Sequence, residues 1–175
     1  MSTFLYFAYG SNLLTKRIHI NNPTAVRRGI GCLKDFRLDF TRYSENWRGA
    51  SATIVPTPDA HVWGAIWEID LCNLADLDRQ EGVDDAIYFP LEVDVERPEG
   101  GTVKCRVYQQ CNNPRECIHV AKLPEQRQPS LVYLTTMFKG AEESGIPSSY
   151  VDYLKSVKHN GYAGKVDIGL AQSEI

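Results

Sequence analysis

The sequence has no long apolar segment and no excess of positive charge, and both absences limit what the protein can do. No apolar run approaches the roughly 20 residues that a helix needs to span a bilayer. The formal net charge of -3 provides no basic surface for DNA, RNA or an anionic membrane. The first four residues also lack the basic and long apolar regions of a secretory signal. We therefore expect a cytoplasmic protein with neither nucleic acid nor membrane as a partner.

Cysteines are few, and their spacing favours neither a disulfide framework nor a metal site. Five cysteines are an odd number, and a chain of 175 residues can fold without covalent cross-links. Cys105, Cys111 and Cys117 recur at intervals of six, with His119 close behind. Structural zinc ligands usually come in pairs two to four residues apart. Buried or surface thiols are therefore the favoured interpretation, and a metal site is the weaker alternative.

The chain also lacks the common phosphate-binding motifs and any internal repeat. It contains neither a Gly-x-Gly-x-x-Gly sequence nor a Walker lysine, and it has no low-complexity tract or linker. Its apolar content of 43% and charged content of 23% are ordinary for a globular protein. We therefore predict one domain, residues 1–175.

Alternating and apolar runs predict several strands in the first half of the chain. Residues 4–9 indicate a buried strand, and residues 32–40 alternate with a period of two. Residues 50–55 and 61–69 indicate two further strands, divided by a turn at residues 56–59 that contains two prolines. Because residues 61–69 are apolar on both faces, that strand is expected at the centre of the sheet.

The second half predicts a hairpin, a polar connection and two helices. Residues 91–95 and 103–107 alternate, one outer face being acidic and the other basic, which suits antiparallel pairing. Residues 109–128 are polar and irregular. Helical spacing of apolar residues follows in residues 131–141, and a second short helix begins at residue 148 or 149. We predict an α+β fold with a mostly antiparallel or mixed sheet, a small β-barrel being one form of it, flanked by helices.

The first strand runs directly into Gly10, Ser11 and Asn12, after which helical spacing begins with Leu14 and Ile18. Ser11 or Asn12 can cap this helix through its side chain. Backbone N–H groups at such a junction can bind a carboxylate or phosphate, and Gly10 allows a ligand to approach closely. Strand–glycine–helix junctions are common, so a purely structural turn is the alternative.

Glu81 is the carboxylate with the most unusual predicted position. It lies on the same helical face as Leu74 and Leu77, whereas Asp76 and Asp78 fall off that face and are expected to be solvated. Burial and the partial negative charge of a helix C-terminus both raise the pKa of a carboxyl group. A pKa nearer neutrality suits proton transfer. Alternatively, Glu81 reaches the rim of the fold or pairs with an arginine.

Two motifs in the expected register resemble the signature of the gamma-glutamylcyclotransferase family. They are residues 6–14, which read Tyr-Phe-Ala-Tyr-Gly-Ser-Asn-Leu-Leu, and residues 80–83, which read Gln-Glu-Gly-Val. The resemblance continues through shorter matches to residues 161–166, so it covers nearly the whole chain.

The resemblance implies a reaction, a fold and a set of site residues. The reaction converts a γ-glutamyl amino acid into 5-oxoproline and the free amino acid, as part of the gamma-glutamyl cycle of glutathione metabolism. Similar enzymes are small β-barrels, need no cofactor and often form homodimers. Glu81 would be the acid–base residue. The residues implied in substrate binding are Tyr6, Phe7, Ala8, Tyr9, Gly10, Ser11, Asn12, Tyr88, Tyr108 and Tyr133.

Three points stay open from the sequence. The alternation of side chains along the predicted strand places Tyr108 on the same face as Lys104 and Arg106, so a surface tyrosine is an alternative for that position. Residues 109–128 depart from the family pattern, which leaves the preferred substrate undecided. A related cyclotransferase acting on glutathione or γ-glutamylamines is one alternative function, and a non-catalytic γ-glutamyl-binding protein is another.

Overall fold

Five strands form a closed barrel in the computed structural model, which describes residues 2–170 and 174–175. The strands are β1 Thr3–Ala8, β2 Val26–Ser44, β3 Gly49–Asp70, β4 Tyr88–Glu96 and β5 Thr102–Gln110. Their order around the barrel is β1-β3-β2-β4-β5. The pairing of β5 with β1 is parallel and the other neighbouring pairs are antiparallel. The predicted α+β barrel is confirmed.

Four α-helices flank the barrel in the part of the chain that the structure describes, and short 3₁₀ turns join several of the elements. The helices are α1 Thr15–Asn21, α2 Leu74–Gln80, α3 Leu131–Ser144 and α4 Ser148–Lys155. The 3₁₀ turns are Ser11–Leu13, Leu71–Asn73, Val120–Lys122 and Glu125–Arg127. Among the described residues, no helix is both long and apolar enough to cross a membrane.

Strand β3 is continuous, so the prediction of two strands divided by a turn is wrong. The pairing of β2 with β3 shifts register between Lys34 and Phe36, and the intervening residues bulge out of the ladder. Asp35 and Asp59 both have positive φ at this point, and the Asp35 carboxylate accepts a 3.1 Å hydrogen bond from the Asp59 backbone N–H. Pro58 lies among the bulged residues and Pro56 pairs with Phe36 beside them, so neither proline ends the strand. The predicted central position is confirmed, because β3 lies between β1 and β2.

The hairpin prediction is confirmed. Glu92 of β4 pairs with Arg106 of β5, and Asp94 pairs with Lys104, so the acidic and basic outer faces meet as expected. The carboxylate of Asp94 lies 3.4 Å from the Lys104 ammonium.

Helix α3 holds the chain that follows β1 against the barrel. The Ser130 hydroxyl caps the helix by accepting a hydrogen bond from a backbone N–H, and Gly145 ends it with a φ of 80°. A Cβ at Gly140 would lie 2.5 Å from the backbone of Leu13 and Leu14, so only glycine permits this approach. The contact places residues 11–13 at the end of β1 with little freedom to move.

The predicted polar connection is irregular from residue 111 onward, apart from two 3₁₀ turns, whereas residues 109 and 110 belong to β5. A buried ion pair ties the connection to the barrel. One terminal nitrogen of Arg127 lies 2.7 Å from each of the two carboxylate oxygens of Asp39. Arg37 donates a third hydrogen bond, of 2.9 Å, to the same carboxylate. Asp39 is buried because this connection covers the polar face of β2.

Candidate active site

A cavity of about 50 Å³ opens where β1 ends. It is lined by Tyr6, Tyr9, Gly10, Ser11, Asn12, Ala52, Glu81, Tyr88, Tyr108 and Tyr133. These residues come from β1 and the turn that follows it, from β3, β4 and β5, from the C-terminal end of α2, and from α3. The cavity therefore brings together residues from most of the length of the chain.

Residues 10–12 line this cavity through a 3₁₀ turn rather than through the start of an α-helix. Neither Ser11 nor Asn12 caps a helix with its side chain, so that prediction is wrong. Asn12 is buried instead, and its amide nitrogen donates a 3.1 Å hydrogen bond to the Tyr6 hydroxyl. Its amide oxygen accepts one from Gln80, and its backbone carbonyl accepts one from the Trp67 ring. Asn12 thus holds the turn in place from three directions.

Glu81 lies at the end of α2 and faces the same cavity, so its predicted inward position is confirmed. Its backbone N–H donates to the carbonyl of Leu77, which is fully buried on the same helical face, while Leu74 is half-buried. Gly82 follows with a φ of 66°, a conformation that ends the helix and favours glycine. The helix is therefore terminated so that the Glu81 carboxyl lies in the cavity rather than in solvent.

The environment of Glu81 raises the pKa of its carboxyl group to about 7. Burial is the largest cause, because removal from water disfavours the ionised form. The guanidinium of Arg17 and a hydrogen bond with the Tyr6 hydroxyl lower the pKa, while the charge of Asp78 raises it. At neutral pH the carboxyl group is thus present in both protonation states, as a proton-transfer residue requires.

Tyr88 and Tyr133 converge on a single backbone position of β3. The Tyr133 hydroxyl accepts a 3.1 Å hydrogen bond from the N–H of Ala52, and the Tyr88 hydroxyl donates one of 2.6 Å to the carbonyl of the same residue. Burial raises the pKa of Tyr133 to about 12 and also raises the pKa of Tyr88. Both phenols are therefore neutral hydrogen-bonding groups in the wall of the cavity.

Tyr108 is buried, so the surface alternative for this residue is wrong. Its hydroxyl contacts the carboxylate of Asp78 and accepts a 2.9 Å hydrogen bond from Arg106. The Asp78 carboxylate also forms an ion pair with Arg106, with an N–O distance of 2.8 Å. The expectation that Asp78 is simply solvated is therefore wrong as well. The alternation of side chains along β5 correctly placed Tyr108 on the same face as Arg106. Helix α2 covers that face and buries the phenol.

Two of the residues implied in substrate binding do not line the cavity. Phe7 and Ala8 are fully buried in the barrel core, where the Phe7 ring lies against Gly64 so closely that a Cβ there would be 2.7 Å away. Their implied role in substrate binding stays a prediction, and their visible role is to fix the strand that carries Tyr6 and Tyr9.

A second, outer cavity of about 360 Å³ adjoins the first. It shares Ser11, Glu81, Tyr88 and Tyr133 with the inner cavity. The additional lining residues are Arg17, Arg42, Tyr43, Ser44, Glu45, Asn46, Trp47, Ser51, Gln80 and Ile87. Sequence reasoning missed this wall because it combines α1, the end of β2, the loop that follows β2 and single residues of other elements, none of which has a distinctive local pattern.

The cysteines lie away from these cavities. Cys105 is buried in β5, whereas Cys111 and Cys117 are exposed, and none of the three lines either cavity. Within the part of the chain that the structure describes, no group of three or more His, Cys, Asp or Glu residues is arranged to hold a metal ion.

The fold and the site together define a class, a closed-barrel protein in which a carboxyl group of raised pKa lies among phenols and a backbone turn. Residues 61–154 match the model of the AIG2-like family. Over 168 residues the chain is 44% identical to gamma-glutamylcyclotransferase from Bos taurus and 42% identical to that from Homo sapiens, covering 94% of this chain and 84% of each relative. The chain belongs to the gamma-glutamylcyclotransferase family, a family of enzymes.

Solved structures agree with this assignment. A structure of a gamma-glutamyl cyclotransferase is 40% identical and superimposes with a TM-score of 0.84, covering 95% of this chain and 94% of its own. A yeast cyclotransferase specific to glutathione is 13% identical, with a TM-score of 0.59 over 90% of this chain and 96% of its own. The yeast protein therefore shares the fold alone.

Proposed function

We propose that this protein is a gamma-glutamylcyclotransferase, a lyase that converts γ-glutamyl amino acids into 5-oxoproline and the free amino acid. The observation that carries the proposal is the position of Glu81, whose carboxyl group has a pKa near neutrality and shares a cavity with residues 10–12. The 42–44% identity to gamma-glutamylcyclotransferases over 94% of the chain supports the same reaction.

The inner cavity holds the γ-glutamyl part of the substrate. No cationic side chain is among its described lining residues, so the α-carboxylate of this part is bound by backbone N–H groups at residues 10–12 and by phenol hydroxyls. Binding in a bent conformation brings the α-amine to the γ-carbonyl. Ring closure is intramolecular, so orientation alone removes several kcal/mol of the barrier, up to roughly 7–11 kcal/mol in the best-aligned cases.

Glu81 moves the protons that this cyclisation requires. The ionised carboxylate accepts a proton from the substrate ammonium, and the neutral α-amine then attacks the γ-carbonyl carbon to form the new C–N bond. Glu81 returns its proton to the nitrogen of the scissile amide, whose bond to the carbonyl carbon breaks. The attacking nitrogen loses a second proton, which completes the ammonium group of the released amino acid. Two protons leave one nitrogen and two arrive on the other, so charge balances.

Tyr133 is the candidate donor to the oxygen that becomes negative during attack. Because its hydroxyl oxygen already accepts from the Ala52 N–H, its own hydrogen is available to a ligand in the cavity. A positioned donor of this kind lowers the barrier by about 3 kcal/mol.

Substitution of Glu81 by glutamine tests the mechanism. Glu81→Gln preserves the shape of the side chain but cannot accept a proton, and we expect release of 5-oxoproline from γ-glutamyl-alanine to fall by about 10²–10⁴-fold. Binding of γ-glutamyl-alanine, measured by calorimetry, is expected to persist. The matched control is Asp84→Asn, which removes an exposed carboxylate three residues away. Near-normal turnover by Glu81→Gln would exclude Glu81 from the reaction.

A substrate panel decides among the remaining alternatives. Glutathione, γ-glutamyl-alanine and γ-glutamyl-ε-lysine are incubated separately with the protein, and 5-oxoproline is measured by mass spectrometry. The proposal predicts the highest turnover with γ-glutamyl-alanine. Preferred turnover of either of the other two would assign the protein to a related cyclotransferase, and tight binding without 5-oxoproline would indicate a non-catalytic binding protein.

The setting of the enzyme is part of the same proposal. A cytoplasmic location is supported by the five cysteines, all of which are unpaired. The organisation of residues 1–175 as one domain and the homodimer implied by the family resemblance stay predictions. Light scattering of the purified protein tests the dimer.

A further inference from the structure

The two cavities differ in charge. The inner cavity has no cationic side chain among its described lining residues, whereas the outer cavity has Arg17 and Arg42. Arg42 is exposed, as is Glu45, which lines the same cavity with the opposite charge. Arg17 is half-buried and lines the outer cavity with Glu81 and Tyr133, two of the residues that also line the inner cavity, and it interacts electrostatically with both.

The guanidinium of Arg17 is held by an aromatic surface rather than by an acidic partner in contact. It lies 5.7 Å from the centre of the Trp47 ring, and that ring lies 4.8 Å from the ring of Tyr133. One terminal nitrogen donates a weak 3.4 Å hydrogen bond to the carbonyl of Ile168, and the Nε atom is buried without a hydrogen-bond partner. No described carboxylate lies within 4.0 Å of the guanidinium in an ion pair. A desolvated guanidinium in such a position favours an anionic ligand.

The substrate class supplies that anion at a defined place. A γ-glutamyl amino acid carries a second carboxylate on the carbon that is bonded to the scissile nitrogen. Glu81 must reach this nitrogen to protonate it, so the second carboxylate lies within a few atoms of Glu81 on the outer side. Arg17 lines the outer cavity together with Glu81, and it is the less exposed of the two arginines there. A γ-glutamyl amine has no carboxylate on that carbon, and the terminal carboxylate of glutathione lies one residue further from the scissile bond.

We propose that Arg17, supported by Trp47, binds the carboxylate of the amino acid to be released and so selects γ-glutamyl amino acids over γ-glutamyl amines. The outer cavity is then the subsite for the released amino acid. This inference rests on the proposed function, because it assigns a specificity-determining residue within the same reaction.

The test uses two substrates that differ in one group, γ-glutamyl-alanine and γ-glutamyl-alaninamide. A hydrogen-bonded charge pair discriminates by about 10- to 100-fold, so we expect the wild-type kcat/KM to favour the acid over the amide by that factor. In Arg17→Gln the ratio is expected to fall to about 1, mainly through a higher KM for γ-glutamyl-alanine. Because Arg17 also acts on the pKa of Glu81, both substrates lose some activity, but the ratio cancels this shared effect.

Lys16→Gln is the matched control, since it removes the same charge from the neighbouring exposed residue of α1 and is expected to keep the ratio. Equal losses for both substrates in Arg17→Gln would show that Arg17 acts only through Glu81 and would overturn the inference. Equal wild-type kcat/KM for acid and amide would overturn it too, even if Arg17→Gln did not fold. If the wild-type protein released no 5-oxoproline from either substrate, the proposed function itself would fail, which is a separate outcome.

Discussion

The hydroxyl of Tyr133 on helix α3 accepts a 3.1 Å hydrogen bond from the backbone N–H of Ala52 on strand β3. Strand β1 pairs only with residues 65–70 of β3, so Ala52 lies beyond the end of that pairing. Tyr133 and Tyr88 satisfy the backbone groups of Ala52 with side chains instead. In this wall of the cavity, side-chain hydroxyls therefore form the hydrogen bonds that a neighbouring strand would otherwise form with Ala52.

Tyr133→Phe is expected to lower both stability and turnover. The substitution leaves the Ala52 N–H buried without its partner, which costs about 1–3 kcal/mol of unfolding free energy. Urea unfolding measures this loss, and Tyr43→Phe at an exposed tyrosine serves as the control with no expected change. Unaltered stability of Tyr133→Phe would mean that water replaces the phenol at Ala52.

The pH dependence of kcat/KM is expected to follow the ionisation of Glu81. Since the carboxyl group must be ionised to accept the first proton, activity rises with pH through about 7, the pKa of the free enzyme. Asp78→Asn removes a charge that raises this pKa, so the midpoint should move to lower pH. A midpoint near the ordinary glutamate value in the wild-type protein would contradict the buried position.

Glu81→Gln is expected to stabilise the protein at alkaline pH. The pKa of Glu81 is higher in the folded state than in the unfolded state, so stability is lost as pH rises from 4.5 through about 7. The glutamine variant avoids this loss, with a gain of at most roughly 3 kcal/mol at pH 8 and little change at pH 4. Thermal melts at the two pH values provide the measurement. Equal gains in stability at both pH values would show that the gain does not come from the ionisation of Glu81.

Asp39→Asn is expected to weaken the fold by about 3–5 kcal/mol, because it leaves buried Arg127 without its carboxylate partner. Denaturant unfolding tests this, with Asp94→Asn as the control in an exposed ion pair that contributes about 0–1 kcal/mol. A small effect at Asp39 would indicate that residues 111–130 detach from the barrel without a penalty.

Local sequence patterns correctly predicted the strands and helices in which apolar residues recur with the period of the element. The hairpin of β4 and β5 and helix α3 lie where alternation and helical spacing placed them. Glu81 faces inward because positions 77 and 81 share a helical face and Gly82 ends the helix. The same reasoning failed for β3, since a bulge and a turn have similar local composition and only the pairing with β2 distinguishes them.

By itself, the sequence determined most of the strands and helices, which carboxyl group turns inward, and which family the motifs resemble. The tertiary structure alone decided that Ala52, Tyr108 and Arg17 meet around Glu81. The pairing of β5 with β1 closes the barrel and brings together residues about 100 positions apart. Local periodicity cannot predict such contacts, because it depends only on residues that are close in sequence. The raised pKa of Glu81 depends on that closure, because a carboxyl group loses its water only when several distant segments pack around it.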